Sequence, residues 1–444
     1  MEHSDVENSS LNEIIVYKKR FVIAFLMSLI CMLSVVPLSE YASITNVIAH
    51  FYKVDNYFVN LLSISYPIVY LIGFMPINWI ALNYGIRVNV TICSFTAAIG
   101  AILKYVAIEQ GLFWISLVGQ IFSAISGIYT YSCAPQIANV WFPVTETTSV
   151  ISILVIANYF GIASGMLIPP LLVGNVNLEN LDLITTRLRF FMLAQSILGV
   201  FLFIAMLFGF DEKPRTPPSF AQQAANEHQN MASLFSTLKA LICNRNFVLL
   251  VISSGIIMAI SNSNSTVLNQ LVLSEFSNQG ETVGILGMLL LFMGCFSTLL
   301  LGYITRKYAK LRIIYSVYNT LSLISMILYS VSFQLELVWP LYITTSLLGF
   351  FINSNLYIAL SFSAELTYPE LESVSSGILL ALNQILTIIF TLIATKLIYN
   401  FKAIGCLIFF IILMAICVVI DCFIRGEQKR QLKENEREHF VSSE

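Results

Sequence analysis

Residues 403–424 read AIGCLIFFIILMAICVVIDCFI, with Asp421 as the one charged side chain. A helix at a water-exposed surface needs a polar face, and this stretch has none. An α-helix of about 20 apolar residues spans the hydrocarbon core of a bilayer. Eleven more stretches of the same kind precede it: 21–47, 58–81, 88–107, 112–135, 149–173, 188–210, 246–272, 283–304, 313–334, 338–361 and 374–397. In hydrocarbon each backbone polar group must be satisfied within its own segment, so these are helices. The strict alternation of a β-barrel is absent. Of 444 residues, 57% are hydrophobic and 11% charged, against about 25% charged in soluble domains. The lipid bilayer is therefore the expected solvent. A formal net charge of -2 gives no basic field, so nucleic acid is not an expected partner.

The chain opens on a polar, acidic stretch that ends at Lys18-Lys19-Arg20. A cleavable signal peptide has a basic start and a short apolar run, so residues 1–20 read as a cytosolic tail. With the N-terminus inside, 17 of the 23 basic residues fall on the cytoplasmic side. The six on the other side are Lys53, Lys104, Arg187, Arg189, Lys396 and Lys402. That bias orients the helices and places both termini in the cytoplasm. The sequon Asn89-Val90-Thr91 then lies at a cytoplasmic helix start and should carry no sugar. Residues 211–245, with Lys213-Pro214-Arg215 and a Gln/Ala/Asn run, read as a cytosolic linker with an amphipathic helix near 231–243. Residues 425–444 form a charged cytosolic tail, and Asp421 beside it reads as a solvated helix end.

Nothing in the sequence points to catalysis. HExxH, GxSxG and glycine-rich phosphate loops are all missing. The four histidines, His3, His50, His228 and His439, are not central in any span. Seven of the eight cysteines lie in apolar runs, the exception being Cys243, and no CxxC pair occurs. The expectation is a non-enzyme with no cofactor and no metal site.

The twelve spans divide into two related halves, 21–210 and 246–424. Trp141-Phe142-Pro143-Val144-Thr145-Glu146 leads into the fifth span, and Thr367-Tyr368-Pro369-Glu370-Leu371-Glu372 into the eleventh. Fifteen residues beyond each proline stands an amide, Asn158 and Gln384, an offset of 226. The same offset carries Arg20 to Asn246 and Arg87 to the neighbour of Arg312. Internal duplication of this kind is the signature of many secondary transporters.

Several motifs resemble the feline leukaemia virus subgroup C receptor family. They are Gly119-Gln120, Trp141-Phe142 with Glu146, Asn158, Gly161, Gly165 and Ile168-Pro169-Pro170, then Glu365 to Glu370 with Glu372, Ser375-Ser376-Gly377 and Gln384-Ile385. Arg20-Phe21-Val22, Asn46-Val47 and Leu268-Asn269-Gln270 look like its first and seventh helices. The resemblance covers most of residues 20–425. It implies an all-α major facilitator fold: twelve transmembrane helices in two pseudo-symmetric six-helix bundles. It also implies choline, ethanolamine or a related small organic cation as cargo, or alternatively haem. In choline-handling members an aromatic pair cages the quaternary ammonium by cation–π attraction. Here those two positions hold Leu38 and Asn262, Tyr159 stands at the family's helix 5 glutamine, and Gln384 retains the helix 11 glutamine. The family's loop after helix 2 survives as Gly85 and Arg87, with Leu82 at its aspartate position.

Polar groups inside spans line cavities or join helices. Glu40, with Tyr41 beside it, is either a counter-charge or proton site for cargo or an outer-end residue reaching water. Asn158, Tyr159, Asn262 and Gln384 are the other candidate substrate contacts. Asn264, Asn269, Gln270, Asn353 and Asn355 suit either cavity lining or helix joining, and Gln120 and Asn78 suit joining. Pro37 should kink helix 1, Pro169 and Pro170 should end helix 5, and Pro143, Glu146, Pro369 and Glu372, with Gly85 and Arg87, are structural or gating positions. The expectation is a monomeric plasma-membrane transporter working by alternating access, with a non-transporting receptor on the same scaffold as the alternative.

Overall fold

The computed structural model describes residues 19–109, 111–142, 144–210, 241, 243–276, 279–307, 311–335, 337–367 and 372–424. Pro143, Pro369, both tails and nearly all of the linker lie outside the described residues, as do the side chains of Asn78, Leu82 and Glu372.

The described chain is helical. The first half contains α1 (Lys19–Glu40), a 3₁₀ turn (Ala42–Ile44), α2 (Thr45–Tyr52), α3 (Asn56–Asn83), α4 (Gly85–Val106), α5 (Phe113–Trp141), α6 (Val144–Val173) and α7 (Leu181–Gly209). The second contains α8 (Arg245–Glu275), α9 (Gly280–Lys307), α10 (Leu311–Gln334), α11 (Val338–Ile352), α12 (Asn355–Thr367) and α13 (Glu372–Phe423). Eleven helical segments are long and apolar enough to cross a membrane. One of them, α13, has 52 residues and turns at Lys402, whose φ of 54° and ψ of -156° are not helical. A straight helix of that length would measure about twice the hydrocarbon thickness. It is therefore two spans, and the total is twelve.

Each half has its own apolar interior. In the first, one cluster gathers Met27, Ile30, Cys93 and Leu154, and another gathers Ile44, Phe51, Leu62 and Leu188. In the second, Leu268, Leu286, Met326 and Phe410 form one cluster, and Phe247, Tyr315 and Phe362 another. A small fifth cluster, Ala163, Met166 and Leu291, bridges α6 and α9 and so joins the halves. Gly280 meets Gly174 so closely that a Cβ on Gly280 would collide with the Gly174 carbonyl oxygen. Gly85 opens α4 with φ +79°, a left-handed conformation that glycine adopts without steric cost.

Four details differ from the sequence reading. Pro37 does not interrupt α1; the helix continues to Glu40 and gives way at Tyr41–Ile44. Pro169 and Pro170 do not end α6, which runs on to Val173. The tenth span is split at Asn353–Ser354 into α11 and α12. Lys104, counted with the outer loops, is fully buried inside the first bundle.

Candidate functional site

The two halves are tied together at one end, the end bearing the turn between α2 and α3. Asn269 of α8 clamps the break after α1: its Nδ2 donates to the Ser43 carbonyl at 2.9 Å, and its Oδ1 accepts from the Asn46 backbone N–H at 3.3 Å. Beside it, Gln270 Nε2 donates to Asn60 Oδ1 at 2.9 Å, and Asn60 Nδ2 donates to Thr395 Oγ1 at 2.7 Å. Asn60, Gln270, Asn269 and Thr395 are all buried, so each bond forms away from water, where an unpaired amide is costly.

Deeper in the molecule α8 and α13 pack together. Asn262, exposed between buried Ser261 and Ser263, donates to Asn383 Oδ1 and Thr387 Oγ1, each at 3.4 Å. Thr387 Oγ1 also contacts Asn383 Oδ1 at 3.3 Å. Gln384, next to Asn383, is half-buried and has no hydrogen-bond partner among the described residues. Asn262 and Gln384, far apart in sequence, thus flank one neutral amide and hydroxyl cluster. In the other half, Asn158 and Tyr159 sit half-buried on α6. Asn158 donates to the Leu154 carbonyl at 3.1 Å, and its Oδ1 is a buried acceptor with no donor among the described residues.

Glu40 and Tyr41 lie elsewhere, within the first bundle. Lys104 Nζ donates to Glu40 Oε1 at 2.7 Å and to Gln195 Oε1 at 3.3 Å, while Gln195 Nε2 donates to Glu40 Oε2 at 2.8 Å. Glu40 is 1% exposed, so it does not reach water, and its counter-charge is internal. Tyr41 is buried with its hydroxyl 2.8 Å from Ser116 Oγ. Neither side chain joins the α8–α13 cluster. Gln120 joins helices as expected, donating to the Pro37 carbonyl.

Of the structural positions, Glu146 pairs with Arg20 at 3.1 Å. The Arg20 guanidinium also lies over the Phe142 ring, 5.4 Å from its centroid. Arg87 donates to the Leu207 carbonyl at 3.4 Å. Asp421 is not a solvated end: it is buried, and accepts from Ser253 Oγ at 2.5 Å and from Asn319 Nδ2 at 2.6 Å. Sequence reasoning missed Lys104, Gln195, Asn383, Thr387 and Asn319. For Lys104 the signal was present, since it falls within the apolar run 88–107.

Twelve spans in two bundles, locked to each other at one end, have the architecture of a multi-pass membrane transporter. The Major Facilitator Superfamily model matches residues 20–367. The zebrafish (Danio rerio) choline/ethanolamine transporter flvcr2a is 31% identical over 96% of this chain and 91% of its own length. The rat (Rattus norvegicus) choline/ethanolamine transporter FLVCR2 is 30% identical over 94% and 71%. Among solved structures, a bacterial homologue of the human lysosomal transporter Spinster, inward-facing and unoccupied, superposes with a TM-score of 0.71 at 11% identity, covering 92% of this chain and 98% of that one. A D-xylose–proton symporter gives 0.71 at 13% identity over 92% and 98%. The chain belongs to the Major Facilitator Superfamily, in the group that contains these choline/ethanolamine transporters.

Proposed function

We propose that this protein carries a small organic cation of the choline/ethanolamine class across the plasma membrane as a monomer, with both termini in the cytoplasm. Residues 21–210 and 246–424 act as the two rocking bodies, tethered by 211–245. In that orientation the tied end is the outer end, and the neutral cluster on α8 and α13 is reached from the cytosol. Glu146, held by Arg20, and Arg87, bonded to Leu207, brace the cytoplasmic ends of the first bundle.

The observation that carries this reading is the cluster Asn262–Asn383–Thr387 beside an unpartnered Gln384. It also separates the two named cargoes. A primary ammonium donates hydrogen bonds to amide and hydroxyl oxygens, whereas a trimethylammonium has no N–H to donate and depends on aromatic faces. With Leu38 and Asn262 in place of the family's aromatic pair, an ethanolamine-like ammonium fits better than choline. Asn158 and Tyr159 supply the contacts from the facing half.

Uptake into proteoliposomes tests this. Labelled ethanolamine should accumulate faster than choline, and Gln384→Ala should raise KM by about 10- to 100-fold, the loss of one hydrogen bond to a charged group. The absence of flux of any solute above empty liposomes would overturn the transport reading and favour a receptor.

A further inference from the structure

Glu40 and Asp421 are the two most deeply buried carboxyl groups among the described residues, 1% and 3% exposed, and they are held in opposite ways. Glu40 has a lysine at 2.7 Å. Among the described residues Asp421 has only neutral partners. Its Oδ1 contacts Ser253 Oγ of α8, its Oδ2 takes the Asn319 amide of α10, and Tyr315 of α10 donates to Ser253 Oγ at 3.1 Å. From α12, Asn355 Nδ2 donates to Asn319 Oδ1 at 2.6 Å. Among the described residues, Tyr315 and, one turn back on α13, Cys417 are the titratable groups facing it. Arg245 and Arg312, at the first turns of α8 and α10, are exposed and form no ion pair with it within 4 Å.

A buried carboxylate without a cation is costly, and the cost is removed either by a bound cation or by a proton. A metal ion would need the carboxylate oxygens free, yet here both face O–H or N–H groups. The 2.5 Å contact to Ser253 lies between two oxygens and can take its hydrogen from either side. We propose that Asp421 is a proton-binding site whose occupancy is relayed through Asn319 and Asn355 to the break between α11 and α12, coupling cargo movement to a proton. This rests on the transport reading above.

The step balances simply. A proton from water at the α13 end forms one O–H bond on Asp421 and cancels its charge; no other group changes charge. The neutral acid then donates to Ser253 Oγ, which accepts from Asp421 and from Tyr315 and turns its own hydrogen away from the carboxyl. Loss of the proton restores the ionised form and tightens Asn319 onto Oδ2. Asn319 pulls on Asn355, the first residue of α12. Within that break Asn353 holds the Leu290 carbonyl of α9 at 2.8 Å and accepts from Ser261 of α8 at 2.5 Å. Helix α9 is the one that meets the opposite half at Gly174. Asn355 Oδ1 is left as a fully buried acceptor with no donor among the described residues, so the relay has slack at its far end.

The full-length protein in liposomes provides two independent readouts. Infrared difference spectroscopy should show a protonated-carboxyl C=O band that is lost in Asp421→Asn and shifted, but kept, in Ser253→Ala. A band unaffected by Asp421→Asn, or no such band, overturns the proton site whether or not transport is seen. In flux assays a pH gradient of one sign should speed ethanolamine uptake and the opposite sign slow it. Asp421→Asn should equilibrate cargo with that stimulation lost. Equal wild-type rates under both gradients overturn the coupling. Absence of all flux overturns the transport reading instead, leaving the infrared band to decide the proton site.

Discussion

At the scale of single residues, Glu40 shows how far a sequence carries. That a carboxylate inside an apolar run must be special was legible. Its partner was not, because Lys104 lies 64 positions away and only packing of α1 against α4 and α7 brings it near. An ion pair in a dry interior contributes little net stability, but removing one member leaves a bare charge. Glu40→Gln should destabilise the fold by about 3–5 kcal/mol, because Lys104 loses its counter-charge. Glu40→Gln combined with Lys104→Met should recover most of that loss, and thermal melting in detergent would compare the two. Equal melting of the single and double variants would contradict the pairing. Asn89 makes a related point: it is fully buried, with its amide 3.4 Å from Gln136 Oε1. Packing alone keeps sugar from it, so an unglycosylated sequon does not report which side of the membrane it faces.

At the scale of helices, the twelve spans were legible because run length and apolarity suffice to define them. The breaks were not. Pro37 suggested a kink at its own position, and α1 gives way four residues later, where Ser43 donates to the Glu40 and Gly165 carbonyls at 2.9 and 3.2 Å and Asn269 clamps the chain. Tertiary contacts, not local propensity, choose the break. The same holds at Asn353, whose side chain satisfies the Leu290 carbonyl on a neighbouring helix. The α6–α9 seam is set by two glycines in contact. Gly280→Leu should wedge that seam open, reduce uptake and increase labelling, by a membrane-impermeant maleimide, of a cysteine introduced at Asn46 at the tied end. Unchanged labelling would show that the seam does not govern closure.

At the scale of the whole molecule, the halves are joined at one end by buried hydrogen bonds. Asn269→Ala removes two buried hydrogen bonds, each contributing about 0.5–1.5 kcal/mol. It should therefore shift the balance away from closure of the tied end by about 5- to 100-fold, read as labelling of the same introduced cysteine. Conversely, a disulfide between cysteines placed at Asn46 and Asn269 should halt transport, and a reductant should restore it; transport that continues with the bridge formed would separate this end from the cycle. The four bonds described across the halves share one property. They join amides, a hydroxyl and backbone groups, none of them ionised. Breaking them drags no fixed charge through the electric field of the bilayer. Opening and closing this end should then add no voltage dependence of its own, while a stroke carrying a cation feels about 2.3 kcal/mol per 100 mV. A negative interior would then draw a cationic cargo inward by acting on the loaded stroke, and depolarisation would slow it.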